Sequence, residues 1–166
     1  VGEEVYISMV NKAEKYCWFI TPYLIITDEM THALCLAAKR GIDVRIITPG
    51  IPDKKMIYSV TRSFYHGLVK NGVRIYEWTP GFCHAKMSVA DDCMATCGTI
   101  NLDYRSLYHH FENGCFMADC QAVLDIRNDL AATMDECREV TEQYSTGRSA
   151  YLRLGQLFMR LFAGLL

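Results

Sequence analysis

A histidine, a lysine, an amide and a carboxylate fall close together in the run His84-Ala85-Lys86-Met87-Ser88-Val89-Ala90-Asp91, followed by Gly98-Thr99-Ile100-Asn101 and then Phe111-Glu112. Together these are the groups a protein needs to attack a phosphate ester without a metal. None of the carboxylates is spaced like a cation cluster, so neither a metal nor a cofactor is expected. Phe82 to Ala90 reads as a strand, on which side chains alternate between faces. His84, Lys86 and Ser88 then share one face, and Cys83, Ala85 and Met87 the other. Asp91 has the opposite parity and stands at a turn, where fixing the turn or pairing with a cation suits it better than touching substrate. His110 falls on the same side as Glu112 and reads as a solvent-facing residue at the mouth of the site. His32, His66 and His109 read as satisfied core residues.

The framework that must hold these groups alternates strands and helices. Residues 5–15 have the apolar spacing of a short amphipathic helix, and Tyr16-Cys17-Trp18-Phe19-Ile20 is an aromatic and β-branched run, a buried strand stopped by Thr21-Pro22. Thr27, with Asp28 and Glu29 behind it, is placed to cap a helix that runs to Lys39-Arg40 and stops at Gly41. Val44-Arg45-Ile46-Ile47 is the next strand, 54–70 a second helix, and Val73-Arg74-Ile75-Tyr76 a third strand. After Phe82 to Ala90 come strands at Met94 to Cys97 and at Cys115 to Ala118, then a helix over 120–140 with Val123, Leu124, Ile126, Leu130, Met134 and Cys137 on one broad face. This order predicts an α/β fold, a mixed and mostly parallel sheet with helices on both faces. One domain is expected over 1–146. A separate amphipathic helix is expected over 147–166, where leucines and phenylalanines alternate with Arg148, Arg153 and Arg160. It suits a membrane interface and a docked terminal helix equally well.

Composition narrows the classes further. At 166 residues and 51% hydrophobic, the chain has room for one real core and not for two. A formal net charge of −2 gives no support to a nucleic-acid partner, and none is expected. Eight cysteines are scattered singly without a CxxC pair, which predicts buried free thiols rather than a zinc site or a disulfide scaffold. The longest apolar run, Tyr16 to Thr27, is broken by Pro22 and is too short to cross a bilayer, which needs about 20 residues. Lys54, Lys55 and Arg62 read as a solvated helix face, and Tyr58, Phe64, Tyr65, Trp78 and Phe82 mostly as core.

His84-x-Lys86-x(4)-Asp91, with Gly98-Thr99-Ile100-Asn101-Leu102-Asp103-Tyr104-Arg105-Ser106 and Phe111-Glu112, resembles the repeated motif of the phospholipase D superfamily. Thr21-Pro22-Tyr23, Gly41-Ile42-Asp43-Val44-Arg45-Ile46 and Gly72-Val73-Arg74-Ile75-Tyr76-Glu77 resemble more narrowly the C-terminal catalytic half of bacterial cardiolipin synthases. The likeness runs in order along nearly the whole chain. It implies the fold of that superfamily and a catalytic set of His84, Lys86, Asp91 and Glu112, with Asp91 supporting. It also implies phosphate binding by Lys86, Asn101, Thr99 and Ser106.

In that superfamily a neutral imidazole attacks the phosphodiester and becomes a phosphohistidine. His84 would be that nucleophile or its counterpart acid, and Glu112 the natural acceptor for its second ring N–H. Two motifs face each other in such enzymes and only one is present here. The other half is expected from an N-terminal part of the same protein, since the chain begins at Val1 rather than Met, or from a second copy. The resemblance further implies phosphatidylglycerol or another phospholipid as substrate, transfer of a phosphatidyl group with loss of glycerol, and a place on the cytoplasmic side of a bacterial membrane with any anchor elsewhere. Tyr108-His109-His110 departs from the family pattern before Phe-Glu, which bears on headgroup choice rather than on phosphoryl chemistry. A homodimeric phosphodiesterase or endonuclease on the same fold, and a domain that only folds and docks, stay open as alternatives.

Overall fold

The computed structural model describes residues 1–145, and β-branched and aromatic runs such as Tyr16–Ile20 and Arg74–Trp78 form strands in it. In chain order the elements are α1 (Gly2–Lys12), β1 (Tyr16–Ile20), β2 (Leu24–Ile25), α2 (Asp28–Lys39), β3 (Asp43–Pro49), α3 (Lys55–Val69) and β4 (Arg74–Trp78). Then follow β5 (Met87–Ala90), β6 (Met94–Gly98), β7 (Leu102–Asp103), a π-helical turn (Arg105–His109), β8 (Gly114–Ala118), α4 (Gln121–Asp135), β9 (Cys137–Glu139) and α5 (Thr141–Ser145). Thr27 caps α2 as its sequence suggests, its hydroxyl accepting from the Met30 N–H at 3.0 Å. Gly41 (φ 93°) and Gly72 (φ 100°) follow α2 and α3 in the left-handed conformation that lets a helix stop and turn into a strand.

Seven strands form one sheet in the order β8-β6-β5-β1-β3-β4-β9, and β2 pairs with β7 in a small second one. The mixed α/β fold is as expected, but the balance differs from the mostly parallel sheet anticipated. Within the seven-stranded sheet of the described residues, β1-β3 and β3-β4 pair in parallel, through the crossover helices α2 and α3. The β1-β5, β5-β6, β6-β8 and β4-β9 junctions are antiparallel. Between β5 and β6 the chain reverses at Asp91 (φ 52°) and Asp92 (φ 60°), the mirror-image turn geometry that suits strand twist.

Alternation along the strands divides the apolar side chains between two layers. Cys17, Phe19, Val44, Ile46 and Ile75 meet α1, α2 and α3 on one face, whereas Ile20, Ile47, Tyr76 and Val89 meet Val123, Leu130 and Met134 of α4 on the other. Buried Glu3 of α1 accepts hydrogen bonds from the hydroxyls of Thr27 and Tyr108, tying α1 to the start of α2 and to the π-helical turn.

Five expectations are corrected. The strand foreseen from Phe82 begins only at Met87, because β1, its partner, ends at Ile20 before Thr21-Pro22. The helix foreseen over 120–140 ends at Asp135, and Cys137–Glu139 becomes an edge strand held by Arg74 to Glu139 (2.8 Å) and Arg138 to Glu77 (2.7 Å). Glu77 is fully buried and is bridged also by Arg62 at 2.9 Å, so Arg62 serves the core rather than a solvated face. All eight cysteines are free, yet Cys17 alone is buried, and Cys97, Cys115 and Cys120 are exposed. His66 is satisfied by the Tyr144 carbonyl at 2.8 Å, while His32 and His109 are exposed. The amphipathic helix expected over 147–166 lies outside the described residues.

Candidate active site

His84 and Lys86 stand on the irregular segment that leads into β5, at the end of the sheet where β1 gives way to Pro22. The Lys86 amine bends back and donates to the His84 carbonyl oxygen at 2.6 Å. With Ala85, Met87, Cys97, Gly98, Thr99 and Asn101 they line an open cleft of about 450 Å³. His84 is exposed, its ring 5.8 Å from that of Phe82, and Lys86 is half-buried. Desolvation draws the pKa of Lys86 below the usual lysine range, while the nearby charges of Glu112 and Asp103 pull it back toward the cation. An ammonium short of water in this way gains from an anion placed against it.

Asn101 reaches the cleft from the lead-in to β7, which pairing with β2 fixes. Its Nδ2 donates to the buried Ser106 hydroxyl at 2.9 Å, and the Ser106 N–H donates to Asp103 Oδ1 at 2.7 Å. Among the described residues Asn101 Oδ1 is buried without a partner. Ser106 thus holds Asn101. Asp103, a buried carboxylate that residue-type reasoning did not single out, holds Ser106 in turn. Its alternation with Asn101 along β7 is the sequence signal that could have found it.

Thr99 joins the cleft to the segment bearing Glu112. Its hydroxyl donates to the Glu112 carboxylate and receives the Asn113 N–H at 3.0 Å. Glu112 lies half-buried beside His110 and Ser106, where two further hollows of about 430 and 130 Å³ meet. His110 therefore accompanies Glu112 as parity suggested. Among the described residues no hydrogen bond joins Glu112 to the His84 ring, and Thr99 takes the carboxylate instead.

Two residues of the motif stretch, Asp91 and Ser88, lie elsewhere. Asp91 accepts the backbone N–H groups of Glu14, Lys15 and Tyr16 at 2.6, 2.9 and 2.8 Å. It stands beyond the far end of β5, five residues or roughly 16 Å of strand from Lys86. Counting Asp91 with the catalytic groups is therefore corrected: it positions β1 against β5 and touches nothing in the cleft. Ser88 is fully buried against the Thr96 hydroxyl (2.6 Å), because parity governs the chain only from Met87 onward.

The cleft gathers an imidazole, an ammonium, a hydroxyl and an amide, and comparison with known proteins bears on what such a set does. A family model described as the PLD-like domain of cardiolipin synthase matches residues 6–134. Cardiolipin synthase of Halalkalibacterium halodurans is 32% identical over 166 residues, which is 100% of this chain and 33% of that protein. Cardiolipin synthase 2 of Bacillus cereus is 34% identical over 164 residues, 99% of this chain and 32% of that one. The chain thus spans about a third of the length of the curated relatives it matches. Among solved structures, Nuc of Salmonella typhimurium, a phospholipase D family member, superposes with a TM-score of 0.71 at 15% identity, covering 82% of this chain and 88% of that one. Phosphatidylserine synthase of Haemophilus influenzae gives 0.72 at 17% identity, over 98% and 44%.

Proposed function

The chain belongs to the phospholipase D-like domain family of cardiolipin synthase, and from that membership we propose that it forms one catalytic half of a phosphatidyltransferase acting on phosphatidylglycerol. His84 attacks phosphorus, its Nε2–P bond forming as the P–O bond to the headgroup glycerol breaks and glycerol leaves. A hydroxyl of a second phosphatidylglycerol then displaces the imidazole and yields cardiolipin. Lys86 and Asn101 hold the nonbridging oxygens as charge builds on them, and the Thr99 hydroxyl joins them when its proton turns from Glu112 to the phosphate. Half a turn of the Asn101 amide lets the Ser106 hydroxyl donate to Oδ1 and turns the NH₂ toward the phosphate. Protonation of the leaving alkoxide falls to a second motif, from another part of the same protein or from a second copy. Phe111 and Phe116, exposed on and beside edge strand β8, suit the surface that meets that half. Among the described residues no helix is long and apolar enough to cross a membrane.

The observation that carries this reading is the meeting of exposed His84 and desolvated Lys86 with Asn101 and Thr99 in one cleft. In the intact protein, His84→Asn should abolish cardiolipin formation from phosphatidylglycerol vesicles. An acid-labile phosphohistidine at position 84 should be trapped in the wild type. Undiminished cardiolipin formation by His84→Asn would overturn the proposal. Cleavage of naked DNA with no lipid turnover would replace it with a phosphodiesterase.

A further inference from the structure

Cys97 and Cys115 lie directly opposite each other on β6 and β8. Both are exposed, and both carry free thiols. Two backbone bonds fix how they face. The Thr99 N–H donates to Asn113 O at 2.8 Å and the Asp119 N–H to Cys93 O at 2.9 Å, each between directly opposed residues. Hydrogen-bonded pairs recur every second residue in an antiparallel ladder, so Cys97 and Cys115 are such a pair as well. Their Cα atoms are then ~5.5 Å apart, within the range that a disulfide spans. Their side chains point to the same face of the sheet, the one that carries Ala95 and Met117 over α4.

We propose that Cys97 and Cys115 are a reversible oxidation site that closes into a cross-strand disulfide. With a peroxide as the oxidant, one thiolate attacks an O–O oxygen to give a sulfenic acid and water. The second thiol then displaces the hydroxyl as water and forms the S–S bond. Two thiols lose two hydrogens in all, and one peroxide becomes two waters. Directly opposed Cβ atoms sit ~4.5–5.5 Å apart, against a mean of ~3.8 Å in disulfides, so closure must draw the strands together. A bridge under that tension is readily reduced again, as a switch requires. Cys97 lines the cleft with His84 and Lys86, and the next two residues are Gly98 and Thr99. The bridge would therefore pin the strand end that presents Thr99. It does not depend on which reaction the cleft performs.

The intact protein is treated with hydrogen peroxide, alkylated, digested with trypsin and analysed by mass spectrometry. Peptides 87–105 and 106–127 should appear linked, two hydrogens lighter than their sum, with fragmentation placing the bond at Cys97 and Cys115. Dithiothreitol should restore both alkylation sites. Each of those peptides holds a second cysteine, Cys93 and Cys120, so Cys120→Ser should leave the link intact and Cys115→Ser should abolish it. In Cys115→Ser, dimedone should label Cys97. Independent oxidation of the two thiols to sulfinic acids without a link, or a link that survives in Cys115→Ser, would overturn the proposal.

Discussion

Replacing Asp91 separates a positional role from a chemical one, because the structure places this carboxylate far from the cleft and in contact with three backbone N–H groups. Two of those bonds are exposed, so water replaces the carboxylate readily and each is worth ~0.5–1 kcal/mol. The third, from Tyr16 at the head of β1, is partly buried and charge-assisted, worth ~1.5–3 kcal/mol. Alanine at φ 52° adds ~1 kcal/mol, since a left-handed conformation crowds its Cβ. Asp91→Ala should therefore lose about 4 kcal/mol, a large part of the ~5–15 kcal/mol typical of a domain. Asp91→Asn keeps one acceptor oxygen and tolerates the turn, and should lose about 1–2 kcal/mol. Urea unfolding reads these losses as midpoint shifts, with a slope of roughly 1–3 kcal/mol per molar. Turnover of phosphatidylglycerol per folded molecule should stay within about twofold of wild type for Asp91→Asn. Lys86→Ala should do the reverse, unfolding within about 1 kcal/mol of wild type while turnover falls by roughly a hundredfold or more. If Asp91→Asn unfolds like wild type but has lost turnover, the carboxylate takes part in the chemistry and the assignment is wrong.

Gly98→Ala should cost at least about 2 kcal/mol and cut turnover, because a Cβ there would stand 2.4 Å from Asn113 O and 2.6 Å from Gly114 Cα, forcing β8 away and Glu112 off Thr99. Thermal unfolding with a parallel activity assay checks both. Glu77→Gln should lose about 3–5 kcal/mol in chemical denaturation, since it leaves Arg62 without its buried charge partner. Hydrogen bonding to Arg74 holds the Glu139 carboxyl at about 2, below the usual 4.5. A depressed carboxylate stabilises the fold above its unfolded pKa, so this contribution is present above pH 4.5 and is lost as pH falls toward 2. It is modest, because the pair is partly exposed. Glu139→Gln should flatten the midpoint-against-pH curve across that window.

Local chemistry made much of this legible from residues alone. Thr27, Gly41 and Gly72 are punctuation whose meaning does not depend on the rest of the chain, and α2 and α3 begin and end where they indicate. The cleft's His84, Lys86, Thr99 and Asn101 were all recoverable from type and spacing. What escaped depends on partners. Phe82 to Lys86 alternates like a strand, but β1, the neighbour it would pair with, ends at Ile20. Cys137–Glu139 continues a helical pattern, yet Arg74 and the buried Glu77 draw it to the edge of β4. Pairing order, and with it the antiparallel half of the sheet, follows from which strands meet in space, which periodicity does not report.

The two halves of the sheet also differ in how far apart along the chain their strands lie. In β1-α2-β3-α3-β4 each strand joins the next through one helix, so these units can form early. The pairing of Cys17 with Ala90 must wait until most of the domain has been synthesised and the intervening loop has closed. Lys86 and Thr99 depend on that late junction, and the edge strand that carries Cys115 docks later still. A nascent chain emerging from the ribosome should therefore acquire its parallel half first and the cleft of His84 and Lys86 last. Amide exchange during refolding should show Ile46 and Tyr76 protected before Val89 and Ala95.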